Sequence, residues 1–229
     1  MLYVIGDVHG RSDCLRRVHE LIERDADRQA LASSRVEVYL GDYVDRGPDS
    51  KGVIDMLIER SQRVSTITLR GNHEILMESF LRGFTLFDDW RAFGGLETIL
   101  SYGVDARALL SGGAIDRRDV AEKIPFPHFP FISTLRNFYR CGDYLFVHAG
   151  VRPRVAIEAQ SIEDLTQIRE EFLNYSGEFG AIVVHGHTPV KAIEFRPNRI
   201  NLDTGAYVTN NLAVIRIDHN GVSALAGGP

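Results

Sequence analysis

Cysteine is scarce in this sequence. Its two cysteines, Cys14 and Cys141, lie far apart in a chain of 229 residues. They form no C-x-x-C or zinc-ribbon spacing, which argues against a scaffold built from disulfides and against a cysteine-based zinc or redox site. Because disulfide-rich proteins are typical of oxidising compartments, the low cysteine content favours a reducing, cytoplasmic location.

Long apolar runs and excess positive charge are missing as well. No stretch approaches the roughly 20 consecutive apolar residues needed to cross a bilayer, and the apolar run after Met1 lacks the basic leader and cleavage site of a signal peptide. The 26 Lys and Arg residues are outnumbered by 31 Asp and Glu, which gives a net charge of -5. Sequence-independent nucleic-acid binding requires a broad basic surface. We therefore expect no nucleic-acid partner and no membrane partner, and any anionic ligand must be bound locally.

The overall composition is that of a globular protein. Apolar residues make up 44% of the chain and charged residues 25%, values close to the soluble average, which argues against disordered, collagen-like and coiled-coil classes. A chain of this length can bury a sizeable core. It contains no internal repeat, low-complexity tract or interdomain linker. The sequence predicts one domain spanning 1–229, with a variable insertion at about 81–140.

The first third of the chain repeats one pattern: a short apolar strand, a polar loop and an amphipathic helix. The strands are predicted at 2–6, 36–40 and 64–69. Three successive units of this kind predict an α/β fold with a parallel sheet. In the first helix, Ser12 or Asp13 is expected to cap the N-terminus.

The pattern changes between about 81 and 140, where glycine pairs and a proline-rich stretch predict short helices and loops. Strand character returns in four later segments, at 144–148, 181–184, 200–202 and 212–217. Because no clear helix separates the last three, the C-terminal half is predicted to form a mostly antiparallel sheet. Before them, Ser161-x-x-Asp164 resembles a capping box and predicts a helix with Leu165, Ile168, Phe172 and Leu173 on one face.

Five loops at the ends of predicted strands share the same residue types: glycine, aspartate, asparagine and histidine, with an arginine nearby. They read Gly6-Asp7-Val8-His9-Gly10, Gly41-Asp42-Tyr43-Val44-Asp45-Arg46-Gly47, Gly71-Asn72-His73-Glu74, Val147-His148-Ala149-Gly150 and His185-Gly186-His187-Thr188-Pro189. In open α/β sheets the carboxyl ends of strands meet at one crevice, so these loops are expected to converge. Carboxylate, amide and imidazole donors without thiolate suit hard to borderline divalent ions. One such loop is usually a turn or a cap, but five in order predict a metal centre.

The motifs G-D-x-H-G, G-D-x-V-D-R-G and G-N-H-E, all intact here, resemble the signatures of the phosphoprotein phosphatase branch of the calcineurin-like metallophosphoesterases. The later His-Ala-Gly and Gly-His-Thr segments are similar to those of bacterial and phage serine/threonine protein phosphatases. The resemblance covers nearly the whole chain and implies a four-layer α/β/β/α metallophosphatase sandwich with mixed sheets. It also implies two divalent metal ions. Manganese is expected, although iron, zinc or cobalt would suit the same ligands.

The resemblance implies a metal-binding role for six of the motif residues. By it, Asp7 and His9 bind the first ion, and the Asp42 carboxylate bridges both ions. Three residues complete the second site: Asn72, His148 and His187. A bridging anion is also chemically required, since two dications about 3.5–4 Å apart repel each other strongly.

The same resemblance assigns residues that do not bind metal. It places His73 beside the leaving-group oxygen as the general acid, with Asp45 behind it as an orienting partner. Arg46 and Arg169 are expected to bind the phosphate oxygens, together with Asn72. The assignment of Arg169 competes with another interpretation, because an arginine followed by two glutamates on a helix is ordinarily a solvated face.

Two further motif residues allow two interpretations each, and a third has a structural interpretation. His185 either ligates a metal or points to the other side of its strand end, and the second is favoured. Asp203 either supports the metal site by a hydrogen bond or is a turn aspartate. Glu74 is interpreted as stabilising a helix N-terminus, where a carboxylate is favoured.

The expected function is hydrolysis of phosphomonoesters, by direct attack of a metal-bridging hydroxide on phosphorus. The resemblance suggests phosphorylated serine, threonine or tyrosine in proteins, or a small phosphoester, as the substrate. One alternative is a symmetrical dinucleoside tetraphosphatase, which shares the metal ligands, and another is a non-catalytic phosphate-binding scaffold. Intact Asp45, Arg46 and His73 argue against the scaffold, because a silent binder needs no general acid. The sequence leaves the oligomeric state and the physiological substrate open.

Overall fold

The computed structural model describes residues 1–29 and 35–225. The strands in these ranges are β1 (Leu2–Ile5), β2 (Val36–Tyr39), β3 (Ser65–Thr68), β4 (Phe138–Cys141), β5 (Tyr144–Val147), β6 (Ile182–His185), β7 (Glu194–Phe195), β8 (Arg199–Asn201), β9 (Val214–Asp218) and β10 (Gly221–Ala224). The helices are α1 (Ser12–Arg28), α2 (Ser50–Ser61), α3 (Asn72–Arg82), α4 (Phe87–Arg91), α5 (Gly95–Ser101), α6 (Arg117–Lys123), α7 (His128–Ser133), α8 (Ile162–Gln167), α9 (Glu170–Leu173) and α10 (Ala206–Thr209). Short 3-10 helices lie at Arg107–Ser111 and Ile157–Ala159.

The first sheet has the strand order β10-β9-β1-β2-β3. Strands β1, β2 and β3 run parallel, with Leu2 opposite Val36 and Val36 opposite Ser65. The helices α1 and α2 connect them, which confirms the three strand-loop-helix units expected from the sequence. Strands β9 and β10 add an antiparallel hairpin on the other side of β1.

The second sheet has the order β4-β5-β6-β8-β7 and corrects one expectation. Its three central strands, β5, β6 and β8, run parallel, and only the edge strands β4 and β7 are antiparallel. The prediction of a mostly antiparallel sheet in the C-terminal half is therefore wrong. The chain turns back through β7 before it enters β8, and β9 leaves this sheet to pair with β1. The spacing of apolar residues along the sequence predicts neither the turn through β7 nor the pairing of β9 with β1.

Residues on both faces of the strands are buried, which makes the molecule four layers thick. Along β1, Leu2 and Val4 pack against the second sheet, through residues such as Phe146. The alternate residues Tyr3 and Ile5 pack against the helices of the first outer layer. On the far side of the second sheet, Leu145, Val147 and Val183 pack against Leu165 and Phe172 of α8 and α9. The predicted α/β/β/α sandwich with mixed sheets is confirmed.

The segment between β3 and β4 consists of short helices and turns, as predicted. Helix α3 ends at Gly83, whose φ of 82° lies in the left-handed region that glycine adopts without a steric penalty. The fully buried Trp90 of α4 packs against Phe80 and Phe87. In the part of the chain that is described, no helix is both long and apolar enough to span a membrane.

Helix α1 begins differently from the sequence prediction. Its N-cap residue is Arg11, with no side-chain cap hydrogen bond. Ser12 is the first helical residue and its hydroxyl donates to Asp49, whereas the Asp13 carboxylate accepts from Arg11. The prediction that Ser12 or Asp13 caps this helix is therefore wrong, because both side chains bind neighbours instead of the free backbone amides.

The predicted helix after Ser161 is capped as expected but is broken. The Ser161 hydroxyl accepts from the backbone N–H of Asp164 at 3.0 Å. The helix stops at Gln167, because the Leu165 carbonyl accepts a hydrogen bond from Ala149 N at 2.9 Å rather than continuing the helical pattern. Arg169 is consequently the N-cap residue of α9 and not a residue inside a helix.

Candidate metal centre

The loops at the strand ends converge at one edge of the sandwich. The backbone N–H groups of Val8 and His9 both donate to the Asp42 carbonyl, at 3.0 and 2.8 Å. Gly186 N donates to the His148 carbonyl at 2.7 Å, which joins the ends of β5 and β6. Hydrogen bonds between loops that are far apart in sequence therefore hold the predicted site residues in one place.

Several residues in these loops have a backbone conformation that non-glycine residues rarely adopt. The residues with positive φ in these loops are His9, Asp42, Asp45, Arg46 and His187, at 46°, 51°, 71°, 67° and 65°. Left-handed backbone costs on the order of 1–3 kcal/mol for each such residue. Strain of this kind persists where the surrounding structure holds a residue in place, and it clusters at functional sites.

Asp42 is the centre of two groups of candidate metal-binding atoms. In the first group, one donor atom each of His9, Asp42 and His73 lies within 4.8 Å of the others. In the second, the same holds for Asp42, His148 and His187. Asp42 Oδ2 is 3.4 Å from His9 Nε2, and Asp42 Oδ1 is 3.3 Å from His148 Nε2. The two oxygens of one carboxylate thus face two different groups.

The hydrogen bonds at Nδ1 of His9 and His148 leave the Nε2 lone pair of each ring facing the Asp42 carboxylate. His9 Nδ1 donates to the Val44 carbonyl and His148 Nδ1 to the Leu40 carbonyl, each at 2.9 Å. In the neutral rings, Nε2 is then an acceptor that faces Asp42. Asn72 Oδ1 lies 3.2 Å from His148 Nε2 and adds a further acceptor. Such a cluster of acceptors requires a cation or a proton between them.

Asp7 lies buried at the back of the same site. Its Oδ2 accepts from the backbone N–H of His187 at 2.9 Å, whereas Oδ1 is buried and has no hydrogen-bond partner among the residues that the structure describes. A Cβ atom at Gly186 would lie 1.9 Å from that Oδ1, so the glycine is required for the carboxylate to fit. A buried carboxylate oxygen without a partner, beside imidazole and amide donors, fits a site for divalent cations.

The pKa values at the site follow from burial and from the charge of Asp42. Burial alone would raise the pKa of Asp42, but the neighbouring His148 and His73 hold it well below its usual range. Burial lowers the pKa of His9 to about 3, whereas Asp42 overcomes burial and raises that of His148 to about 10. Burial and the charge of Asp203 raise the pKa of Asp7. The high pKa of His148 reflects the same demand for positive charge that a metal ion would meet.

His73 is paired with Asp45 in the interior of the site. His73 Nδ1 donates to Asp45 Oδ2 at 2.7 Å, and both side chains are almost fully buried. Trp90 Nε1 donates to both carboxylate oxygens of Asp45, at 3.0 and 2.9 Å, and Thr98 Oγ1 donates at 2.7 Å. These bonds fix the carboxylate, and the carboxylate fixes the imidazole. His73 Nε2 is thereby directed toward Asp42 Oδ2, 3.8 Å away.

Glu74 does more than stabilise the start of α3. Its carboxylate accepts from the backbone N–H of the N-cap residue Gly71 at 3.0 Å, which is the half of a capping box that a glycine N-cap allows. It also accepts from the backbone N–H groups of Asp42, Tyr43 and Val44, at 2.9, 2.7 and 3.2 Å. Glu74 therefore joins the loop after β3 to the loop that contains Asp42.

The two predicted phosphate-binding arginines lie at the margin of the site. The Arg46 guanidinium is half-buried and lies 4.9 Å from the ring centroid of Tyr207. Arg169 is exposed and donates to Thr188 Oγ1 at 3.2 Å, next to His187. Burial and the charge of His148 lower the pKa of His187, and the charge of Arg169 lowers it further. The broken helix therefore brings Arg169 to the edge of the second group.

His185 and Asp203 make contacts of other kinds. His185 is buried with its ring 4.9 Å from that of Phe172, and it belongs to neither group around Asp42. The contact with Phe172 of α9 is compatible with the favoured interpretation, which stays a prediction. Asp203 Oδ1 accepts from Gly205 N at 2.9 Å, which is a turn contact. Its charge nonetheless reaches the site, because it contributes to the raised pKa of Asp7.

Sequence reasoning missed four residues beside the site. Trp90 and Thr98 hold Asp45, Phe93 lies next to His73, and Tyr207 lies next to His9. Trp90 is the single tryptophan of the chain, but a lone aromatic residue in a helix is most simply interpreted as core. All four come from segments outside the five strand-end loops.

Comparison with known proteins gives a family match over the whole length. Residues 1–228 match the model of the calcineurin-like phosphoesterases. The asymmetrical bis(5'-nucleosyl)-tetraphosphatase PrpE of Anoxybacillus flavithermus is 24% identical over 238 residues, covering 94% of this chain and 90% of that protein. Serine/threonine-protein phosphatase 1 of Salmonella typhimurium is 28% identical, covering 94% and 91%. A solved structure provisionally assigned as a diadenosine tetraphosphatase superposes with a TM-score of 0.66 at 20% identity, covering 99% of this chain and 93% of that one.

Proposed function

The chain belongs to the calcineurin-like phosphoesterase family, and we propose that it is a dinuclear metal-dependent phosphomonoesterase acting on phosphorylated serine, threonine or tyrosine residues of proteins. The family and the phosphatase names of its relatives identify a hydrolase of phosphoesters. The observation that carries the finer proposal is the His73–Asp45 pair, joined at 2.7 Å and directed into the group around Asp42. A proton donor in this position is what hydrolysis of an alkyl phosphate needs.

The proposed metal ligands are drawn from the two groups around Asp42, with Asp7 and Asn72 added and with His73 kept as the proton donor. Asp7 and His9 would hold one ion, and Asp42 would bridge to the second. The second ion would be held by Asn72, His148 and His187, whose donor atoms suit manganese, iron, zinc or cobalt; of these we propose manganese. When bound, two such ions lower the pKa of water and neutralise charge on the phosphoryl oxygens.

In this proposal His73 gives its Nε2 proton to the departing oxygen. Asp45 holds the other ring nitrogen, which sets the orientation of the imidazole and stabilises its protonated form. The carboxylate itself is held by Trp90 and Thr98, so the pair is preorganised before substrate binds. Although burial alone would lower the pKa of His73, Asp42 and Asp45 raise it, which favours the protonated form needed for an acid.

Arg46, Arg169 and Asn72 are the proposed phosphate-binding residues. The guanidinium groups can donate paired hydrogen bonds to phosphate oxygens, and their fixed charge stabilises the transition state. The Arg46 guanidinium rests on Tyr207, which limits its freedom while leaving its N–H groups available. The contact of Arg169 with Thr188 uses Nη1, so Nε and Nη2 of the guanidinium can still donate to a phosphate.

A dinucleoside tetraphosphatase is the second candidate, and the relatives named bis(5'-nucleosyl)-tetraphosphatase support it. The two reactions differ in the group that leaves. Cleavage of a phosphoanhydride releases a phosphate oxygen, which departs with little help, whereas a serine or threonine alkoxide must be protonated as the P–O bond breaks. The buried and fully hydrogen-bonded His73–Asp45 pair therefore favours the phosphomonoester.

The test is a side-by-side assay of metal-depleted protein reconstituted with manganese, iron, zinc or cobalt, on a phosphopeptide panel and on a dinucleoside tetraphosphate. We expect kcat/KM for the best phosphopeptide to exceed that for the dinucleotide by tenfold or more, and chelation to abolish both. Asp42→Asn, prepared in parallel, controls for contaminating phosphatases. Faster hydrolysis of the dinucleotide would reverse the substrate assignment, and inactivity of the metal-loaded protein on both would favour the phosphate-binding scaffold.

A further inference from the structure

An exposed aromatic ring adjoins the proposed proton donor. Phe93 is 48% exposed, and its ring centroid lies 6.2 Å from that of His73, with an angle of 79° between the rings. His73 also contacts the ring of His9, at a centroid distance of 4.7 Å, and the ring of Tyr207 lies 5.3 Å from that of His9. Phe93 is the exposed member of this set of contacting rings.

The position of Phe93 is held by the backbone and does not depend on the packing of its own ring. Phe93 N donates to the Trp90 carbonyl at 3.0 Å, and the next residue, Gly94, accepts from Arg46 N at 3.2 Å. Gly94 has a φ of 100°, and a Cβ atom there would lie 2.7 Å from Arg46 N, so this close approach requires glycine. Single exposed aromatic residues are ordinary on protein surfaces. Phe93 differs from these because its neighbour Gly94 is hydrogen-bonded to Arg46, beside the reacting groups. Its ring is therefore preorganised for contact with a ligand.

We propose that Phe93 contacts the leaving group and gives the enzyme a preference for phosphoesters whose ester oxygen is bonded directly to an aromatic ring, as in phosphotyrosine. This inference rests on the proposed function, in which His73 Nε2 faces the leaving oxygen. A ring attached to that oxygen lies next to the imidazole, and the exposed Phe93 ring has its centroid 6.2 Å from the centroid of the same imidazole, so the two rings can meet. Aromatic rings attract one another at centroid separations of about 4.5–7 Å, the range in which Phe93 already meets His73.

Other leaving groups make less contact with the Phe93 ring. A serine or threonine side chain presents one or two carbon atoms there and leaves most of the Phe93 ring in water. The base of a dinucleoside polyphosphate is separated from its phosphate by a ribose, so it extends past the imidazole. Only an aryl ester places a flat ring next to the ester oxygen.

The experiment uses the manganese-loaded full chain and two peptides of identical sequence, one with phosphotyrosine and one with phosphoserine at the same position. The measured quantity is the ratio of kcat/KM for phosphotyrosine to kcat/KM for phosphoserine. Because each peptide keeps its own leaving-group acidity in every variant, a change in this ratio isolates contact with the ring. We expect Phe93→Leu to lower the ratio by about 3- to 10-fold, the usual effect of an aromatic pair, and Phe93→Tyr to preserve it.

Phe84→Leu is the matched control. Phe84 is 82% exposed and lies two residues beyond Arg82, the last residue of α3, which is about 14 Å along the helix from His73. We expect it to leave the ratio unchanged. Equal losses on both peptides in Phe93→Leu, or a loss confined to a dinucleoside tetraphosphate, would overturn the inference. A wild-type protein that hydrolyses neither peptide would instead refute the proposed function.

Discussion

Replacing His73 with asparagine tests the proposed proton donor by changing the leaving group rather than the binding of substrate. His73 is buried, its Nδ1 is bound to Asp45 at 2.7 Å, and its Nε2 is the atom that faces the site. Asparagine is shorter and carries no proton of suitable acidity. The loss should be large where the leaving oxygen must be protonated and small where it leaves unaided.

The expected magnitude follows from these contacts. General-acid catalysis contributes about 10²–10⁴-fold, so His73→Asn should slow hydrolysis of an alkyl phosphate by that factor. For p-nitrophenyl phosphate, whose leaving group has a pKa of about 7, we expect less than about tenfold. Asp45→Asn removes the negative charge from a charge-assisted hydrogen bond, a type worth about 1.5–3 kcal/mol in full, and should cost the alkyl substrate up to roughly 10- to 150-fold.

The assay measures kcat/KM on both substrates with metal content determined for every variant. Metal analysis is required because His73 lies in the first group around Asp42, and a lost ion would depress both activities. Asp45→Asn also turns an amide N–H₂ toward the donors Trp90 and Thr98, so its thermal stability must be compared with that of the wild type. Equal fractional losses on the two substrates, with both metals retained, would show that His73 is not the proton donor.

Three further predictions concern the metal bridge, the arginines and a buried ion pair. Asp42→Asn should lose more metal and more activity than Asp7→Asn, because only Asp42 faces both groups; equal metal content and rate in the two variants would contradict the bridge. Arg46→Ala and Arg169→Ala should each lower kcat and weaken inhibition by inorganic phosphate, and an Arg169→Ala enzyme with wild-type values would return that residue to a solvated surface role. Although burial alone would raise it, hydrogen bonds from Arg60 hold the pKa of the fully buried Glu37 below its ordinary value. The resulting stability is present above the unfolded-state pKa of about 4.3 and is lost as the pH falls through the lower folded-state pKa. Glu37→Gln should therefore lower the free energy of unfolding at pH 7 by about 3–5 kcal/mol, and the difference from wild type should shrink below about pH 4; a difference independent of pH in denaturant titrations would refute this origin.

The sequence by itself predicted which residues form the candidate metal centre, because these residues occur in short contiguous motifs. Each motif follows a strand, and parallel strands end at the same edge of a sheet, so spacing along the chain was enough to expect His9, Asp42 and Asn72 in one crevice. His148 follows a strand of the second sheet, and its place in the site was expected from the family resemblance. The roles of these residues as ligands stay predictions. The convergence itself is present in the contacts between the loops.

Strand direction in the second sheet depended on the path of the chain between strands. The apolar character of β6, β8 and β9 predicted that they are strands, but the same residues would suit either direction and either sheet. The turn through β7 makes β8 parallel to β6, and pairing with β1 takes β9 into the first sheet. Likewise, apolar spacing predicted one helix across Arg169, and a hydrogen bond from Ala149 to Leu165 interrupts it.

Only the tertiary structure decided what surrounds His73 and Asp45. Trp90 and Thr98 reach Asp45 from 45 and 53 residues further along the chain, on helices whose positions are set by packing in the core. Phe93 stands beside His73 because Gly94 meets the backbone of Arg46. A sequence motif specifies the local backbone and its own side chains. The contacts made by Trp90, Thr98 and Phe93 arise instead from the packing of separate helices and turns, which the spacing of residues along one sequence does not predict.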